Sequence, residues 1–223
     1  MSDNQMSDSD SGGLVEIPSP GIPLFYGDVG APVAIILHDW YGRLPWLEPF
    51  AQALADRGSL RVAVPDLYGG VATIEREQAE KLSDALDAEA ALGIVAEVIA
   101  AERATGSERV GLIGFSLGAW LALQGAQQGM VDAAVIYYGT GPDGIIPAPL
   151  LFHLAETDEF EPTDDTGAYL AQLKNDGTPV TSHTYVGTEH NFANATVPGL
   201  VDTRSAALAF ARTTVFLEAQ LHD

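Results

Sequence analysis

The stretch Gly114-Phe115-Ser116-Leu117-Gly118 constrains the fold of this chain more than any other, because of what flanks it. Before it runs RVGLIG, an apolar and β-branched segment; after it comes SLGAWLALQGA, with the small and apolar residues of a buried helix. A G-x-S-x-G in that setting predicts a sharp strand-to-helix turn that lifts a serine hydroxyl above the end of a sheet. A side chain at either glycine would collide with the flanking strand or helix. The serine then stands at a helix N-terminus, where unpaired N–H groups and the helix dipole favour a developing negative charge. The plainer reading of the same residues is a Gly/Ser turn in which Ser116 caps the helix. The strand and helix on either side favour the first.

The rest of the chain repeats this alternation. Short apolar runs at Val33–His38, Leu60–Pro65, Arg109–Gly114, Ala133–Tyr138, Pro149–Ala155 and Thr181–Val186 read as strands, with Ile22–Tyr26 as an edge strand. Between them, Leu47–Arg57, Glu75–Leu86, Glu89–Glu102, Ser116–Gln128, Asp165–Asn175 and Thr203–Leu221 read as helices, several closed by a glycine such as Gly58, Gly129 or Gly177. Near-continuous apolar strands alternating with helices predict an α/β fold: a mostly parallel central sheet with helices on both faces, in three layers. The 223 residues suit one such domain, over 14–223. The opening MSDNQMSDSDSGG has neither a basic region nor an apolar stretch, and reads as a flexible acidic tail over 1–13 rather than a secretory signal.

Composition narrows the chemistry. There is no cysteine, which excludes disulfides, thiolate metal sites and a cysteine nucleophile. No apolar run approaches the roughly 20 residues needed to cross a bilayer, and a cytoplasmic location is expected. Thirty-one Asp and Glu against ten Lys and Arg give a net charge of −21. That balance disfavours nucleic acid and anionic membrane as partners, since both require positive patches. It fits equally a surface adapted to high salt and an ordinary acidic, well-solvated one.

A serine hydroxyl needs a base, and in this arrangement the base follows the nucleophile and an acid in the order Ser, acid, His. Of the five histidines, His222 lies at the frayed end and His38 lies upstream of Ser116. His153 and His183 fall inside strands, where a hydrogen-bonded structural imidazole is expected. His190, in the loop GTEHNFAN after the last strand, stands where the base belongs. The orienting acid should follow the strand PLLFHLA, where Glu156, Asp158 and Glu159 are all available.

Taken together, ILHDWYG (36–42), VPDLYGG (64–70), VGLIGFSLGAW (110–120), VDAAVIYYGTG (131–141), LLFHLAETDEF (150–160) and TEHNFAN (188–194) resemble the dienelactone hydrolase family, a branch of the α/β-hydrolase fold. The resemblance runs from about Ala34 to Phe216 and implies a catalytic triad of Ser116, Asp158 and His190, the aspartate being chosen by its D-x-F context. It also implies an oxyanion hole from the backbone N–H groups of Trp40 and Leu117, no cofactor, no metal, and a small ester, lactone or thioester as substrate. The family's founding enzymes use cysteine where Ser116 stands, and a glutamate where Asp39 stands. They grip a substrate carboxylate with two arginines at places that match Gly70 and Asn194 here. Asp39, Tyr68 and Tyr137, with Trp40 and Trp120, are candidates for the pocket wall, and each reads equally as core or turn structure. The contrasting function is a non-catalytic protein of the same fold that binds a small molecule in the cleft. Such proteins lose a triad member, and all three are present here.

Overall fold

The computed structural model describes residues 13–222. Residues 1–12, which make up nearly all of the expected acidic tail, and residue 223 lie outside them. Gly13, the last residue of that stretch, is described, and its carbonyl accepts hydrogen bonds from the Ile74 N–H and the Thr73 hydroxyl.

The apolar runs form seven strands: β1 (Leu24–Tyr26), β2 (Val33–Leu37), β3 (Arg61–Val64), β4 (Val110–Phe115), β5 (Ala133–Tyr137), β6 (Leu150–Ala155) and β7 (Val180–Tyr185). They make one sheet in the order β1-β3-β2-β4-β5-β6-β7, parallel except for β1, which pairs antiparallel with β3. Strand β2 is buried along its whole length, because alternate side chains enter two different cores. Ala34 and Ile36 pack with Leu47, Ala51 and Leu54 of α1 (Leu47–Gly58) and Ala209 and Leu217 of α6 (Thr203–Leu221). Val33, Ile35 and Leu37 pack with Leu92 and Val95 of α3 (Ala88–Ala104), Leu121 and Ala122 of α4 (Leu117–Gln127) and Leu170 of α5 (Thr163–Asn175). This double burial is why the strands read as continuous apolar runs without alternation. The result is the three-layer α/β-hydrolase architecture that the sequence predicts.

Element ends depart from expectation where capping decides them. Helix α3 begins at Ala88 because the Asp87 carboxylate accepts from the Glu89 and Ala90 N–H groups. Asp202 caps α6 in the same way through the Ser205 N–H. Helix α2 (Arg76–Asp84) starts one residue later than expected, and α5 starts two earlier, with Asp164 and Asp165 in its first turn. Gly58 does not close α1; it is the last helical residue, and Ser59 takes the left-handed conformation. His222 is not frayed, since its Nε2–H donates to the Gly58 carbonyl at 2.9 Å.

One contact sets the position of α4. A Cβ on Gly118 would stand 2.3 Å from the Leu37 carbonyl oxygen and 2.6 Å from that of His38, and one on Gly114 would stand 2.2 Å from the Gly118 oxygen. The first turn of α4 therefore rests on the carboxyl end of β2, backbone against backbone. Gly118→Ala is expected to lower the unfolding free energy by about 2–3 kcal/mol, as overpacking a rigid site does. Gly93→Ala, in α3 with open space around it, is expected to raise stability by about 0.5–1 kcal/mol. Urea titration of the two variants checks both signs.

Candidate active site

The loops that follow β2, β4, β6 and β7 meet at the carboxyl edge of the sheet, the usual place for a site in an open α/β fold. Ser116 ends the turn after β4 with φ 51° and ψ −112°, a conformation that costs a non-glycine residue on the order of 1–3 kcal/mol. The surrounding backbone holds it there. Its N–H donates to the Tyr137 carbonyl at 3.0 Å, and its carbonyl accepts from the Ala119 and Trp120 N–H groups at 2.8 and 3.1 Å. Ser116 occupies the N-cap position of α4, yet its side chain makes no capping bond. The hydroxyl lies instead 2.7 Å from Nε2 of His190.

His190 and Asp158 are both nearly buried, and Nδ1 of His190 sits 2.8 and 2.7 Å from the two oxygens of the Asp158 carboxylate. A carboxylate only accepts, so Nδ1 carries the proton and Nε2 is left to accept from the serine hydroxyl. The N–H groups of Phe160 and Glu161 donate to Asp158 Oδ1 at 3.0 Å each, fixing the carboxylate from behind. The Tyr138 and Phe160 rings pack on the imidazole, with centroids 5.1 and 4.8 Å away. The other two carboxylates of this loop are engaged elsewhere: Glu156 accepts from the Gly187 N–H, and Glu159 pairs with Arg76.

Ser116 and His190 open into a cleft of about 390 Å³ whose apolar wall is Trp40, Leu117, Trp120 and Phe160. Its polar wall is Glu80, Ser83, Asp84, Thr140 and Glu161. Trp40 and Leu117, named as oxyanion donors from sequence, both border it. Among the described residues neither of their N–H groups has an acceptor within the protein, which for Leu117 is expected of the first helical N–H of α4. The acidic residues of α2 carry no sequence signal as cleft residues, because i, i+4 carboxylates read as a solvated helix face. Glu161 is also illegible in sequence; its carboxylate accepts from both the N–H and the hydroxyl of Thr140.

Three pocket candidates lie elsewhere. Tyr137 is core, fully buried, with its hydroxyl on Thr213 at 2.7 Å. Tyr68 packs on the ring of His38, 4.9 Å between centroids, outside the cleft. Asp39 is buried and holds the turn after β2: Oδ1 accepts from the Tyr41 N–H at 3.0 Å, and Oδ2 from the Asn194 amide at 2.9 Å. Asn194 thus ties the His190 loop to the Trp40 turn, with its own Oδ1 accepting from the Thr196 and Val197 N–H groups. Gly70 has φ 105°, and a Cβ there would meet Pro20 at 2.8 Å, so the backbone itself excludes a long cationic side chain at that place.

His153 and His38 are structural. His153 is buried, 2.8 Å from the Tyr185 hydroxyl and 3.0 Å from that of Thr213, with its pKa well below the usual value because of burial. His38 donates from Nδ1 to the Asp39 carbonyl and accepts at Nε2 from the Leu67 N–H. Burial pulls its pKa down to about 4, while burial pushes the Asp39 carboxyl up to about 6.

The family model described as the dienelactone hydrolase family matches residues 24–221. The chain is 34% identical over 208 residues to a carboxymethylenebutenolidase of Pseudomonas putida, covering 84% of this chain and 85% of that one. It is 29% identical over 211 residues to carboxymethylenebutenolidase 1 of Cupriavidus pinatubonensis, covering 86% and 88%. Among solved structures, a dienelactone hydrolase-like promiscuous phosphotriesterase from metagenomic libraries superposes with a TM-score of 0.71 at 18% identity, covering 87% of this chain and 88% of that one.

The neutral state of His38 generates a pH dependence. Protonation would place a donor at Nε2 against the Leu67 N–H, so the folded state resists it. The stability that depends on neutral His38 is whole above about 6.5 and is lost as the pH falls from there towards 4. Asp39 acts oppositely: its raised pKa favours the folded state as the pH falls through 6. Subtracting the stability of His38→Gln from that of the wild type isolates the first effect. The difference, from urea unfolding at several pH values, is expected to fall by on the order of 3 kcal/mol between pH 6.5 and 4.

Proposed function

The chain belongs to the dienelactone hydrolase family, and from that premise we propose that it hydrolyses a small carboxylic ester, lactone or thioester through an acyl-enzyme on Ser116. The observation that carries the reading is the 2.7 Å contact between Ser116 Oγ and His190 Nε2, in a nearly buried array completed by Asp158. In this mechanism Oγ attacks the carbonyl carbon as its proton passes to Nε2. Asp158 holds the proton on Nδ1 and stabilises the imidazolium that forms. The carbonyl oxygen gathers negative charge beside the N–H groups of Trp40 and Leu117, each such donor being worth about 3–4 kcal/mol at the transition state. The C–O or C–S bond then breaks, and Nε2–H delivers its proton to the leaving group. A water deprotonated by the same nitrogen attacks the acyl carbon, releases the acid and regenerates the hydroxyl.

Ser116→Ala should lower kcat by at least about three orders of magnitude with an unchanged circular dichroism spectrum. It should also abolish labelling by a fluorophosphonate. A variant that turns over near the wild-type rate overturns the assignment.

The cleft also supports a preference for uncharged substrates. Three carboxylates line it, Glu80, Asp84 and Glu161, and among the described residues no Lys or Arg does. Arg43 is buried, its guanidinium spent on the carbonyls of Pro18, Ser19, Ile22 and Val64. Arg76 lies on Glu159. The relatives' name denotes a substrate bearing a carboxymethylene group, and its free carboxylate would meet no cation here. A charge-assisted hydrogen bond is worth roughly 1.5–3 kcal/mol, so lacking two such bonds costs at least about a hundredfold in affinity. Steady-state kinetics should therefore give the methyl ester of a carboxylated dienelactone a higher kcat/KM than the free acid, at both low and high salt. Preference for the free acid under both conditions rejects the charge argument.

A further inference from the structure

A second cavity, of about 350 Å³, opens beside the cleft, lined by Tyr41, Arg76, Thr157, Glu159, Glu189 and Asn191 among others. Three residues line both cavities: Trp40, Phe160 and His190. The two aromatic rings meet edge to face, 5.3 Å between centroids, and Phe160 packs in turn on the imidazole at 4.8 Å. The two cavities thus share a wall two rings wide, and His190 lines both. The second cavity is the more polar one, with Thr157, Glu159, Glu189 and Asn191 in its lining.

What holds the wall is equally specific. Arg76, at the start of α2, reaches the loop after β6 and makes a two-pronged contact with Glu159 at 2.8 and 3.2 Å. Its guanidinium carbon lies 5.6 Å from the centre of the Trp40 ring and 5.2 Å from that of Phe160, so one cation sits against both rings of the wall. Both side chains of the ion pair are more than half exposed. An exposed pair of this kind is weak and is screened by salt.

We propose that the Arg76–Glu159 pair is a specificity-determining clasp: it pins Trp40 against Phe160, keeps the two cavities apart, and confines the ester cleft to small acyl and alcohol groups. Releasing it joins the cavities into one site, long enough for a bulkier ester whose hydroxyl-bearing end enters the polar second cavity. The hydrogen bonds of Arg76 go to Glu159 and not to Ser116 or the Trp40 and Leu117 N–H groups, and it meets Trp40 at the ring. Salt acts on the same joint, so the accepted substrate size changes with ionic strength in the native protein. The inference rests on the ester-hydrolase reading above.

The test is a ratio: kcat/KM for a bulky hydroxylated ester, such as a monoacylglycerol of medium chain length, over that for ethyl acetate. It is measured for the wild type and Arg76→Gln at low salt and at 1 M sodium chloride. Arg76→Gln should raise the ratio at least about fivefold at low salt, from the loss of one exposed ion pair and two cation–π contacts. Salt should raise the wild-type ratio in the same direction and leave the variant's ratio flat. A variant ratio within twofold of the wild type at low salt overturns the clasp, and so does a salt response of equal size in both proteins. The wild-type salt arm stands even if the variant folds poorly, because a ratio that salt does not move is itself contrary. Loss of the ester-hydrolase reading is a separate result: neither ester is turned over and fluorophosphonate does not label the wild type.

Discussion

Everything at the carboxyl edge of the sheet depends on how closely one helix can approach one strand. The first turn of α4 rests on the carbonyl oxygens of Leu37 and His38, and it does so because position 118 has no Cβ. This contact places the helix N-terminus under the Ser116 hydroxyl and presses the serine into its left-handed backbone. It also sets the end of β2, and with it the turn carrying Trp40, at a fixed height above the nucleophile. Moving α4 outward by the width of a methyl group would shift the serine from the imidazole and from the Trp40 N–H together. A hydrogen-bonded array tolerates little of that, since bonds at 2.7–2.8 Å weaken steeply when stretched or bent.

The second layer of constraint is the fastening of loops to one another. Asp39 and Asn194 join the Trp40 turn to the His190 loop, and Thr196 accepts from the Trp46 N–H a few residues on. Asp158 is braced by two N–H groups of its own loop. Asn194 stands where a carboxylate-gripping arginine is implied by the family pattern, and here it is fully buried as a fastener. A neutral amide against a buried carboxylate leaves Asp39 without a counter-charge, which is why burial prevails and its pKa rises to about 6.

Much of this was legible in the residues, and the parts that were not have physical reasons. The strands were readable because both their faces are buried, which writes an unbroken apolar run into each. Ser116 and His190 were readable from local context: a glycine-framed turn for one, a loop after the last strand for the other. The acid was not settled by position, since Glu156, Asp158 and Glu159 are carboxylates within four residues of one another. The family resemblance chose Asp158 by its D-x-F context, and the packing gives Glu156 to Gly187, Glu159 to Arg76 and Asp158 to the imidazole. The cleft wall was the least legible. Tyr137 and Tyr68 carry the same aromatic signature as Trp40 and Trp120, and whether a ring faces a cavity or a core is a tertiary matter. Glu80 and Asp84 look like any solvated helix face until α2 is seen against the cleft.

The order of the strands has a consequence for how the molecule comes to life. Ser116 hangs from β4 at the middle of the sheet, while Asp158 and His190 hang from the loops beyond β6 and β7, the last strand at one edge. Parallel neighbours are distant along the chain, and pairings of that kind form slowly because long loops must close first. A chain with β2, β3, β4 and β5 already assembled would own a folded core and a strained serine, yet no imidazole to take its proton. On the proposed reading, the array is therefore incomplete until that edge strand has docked.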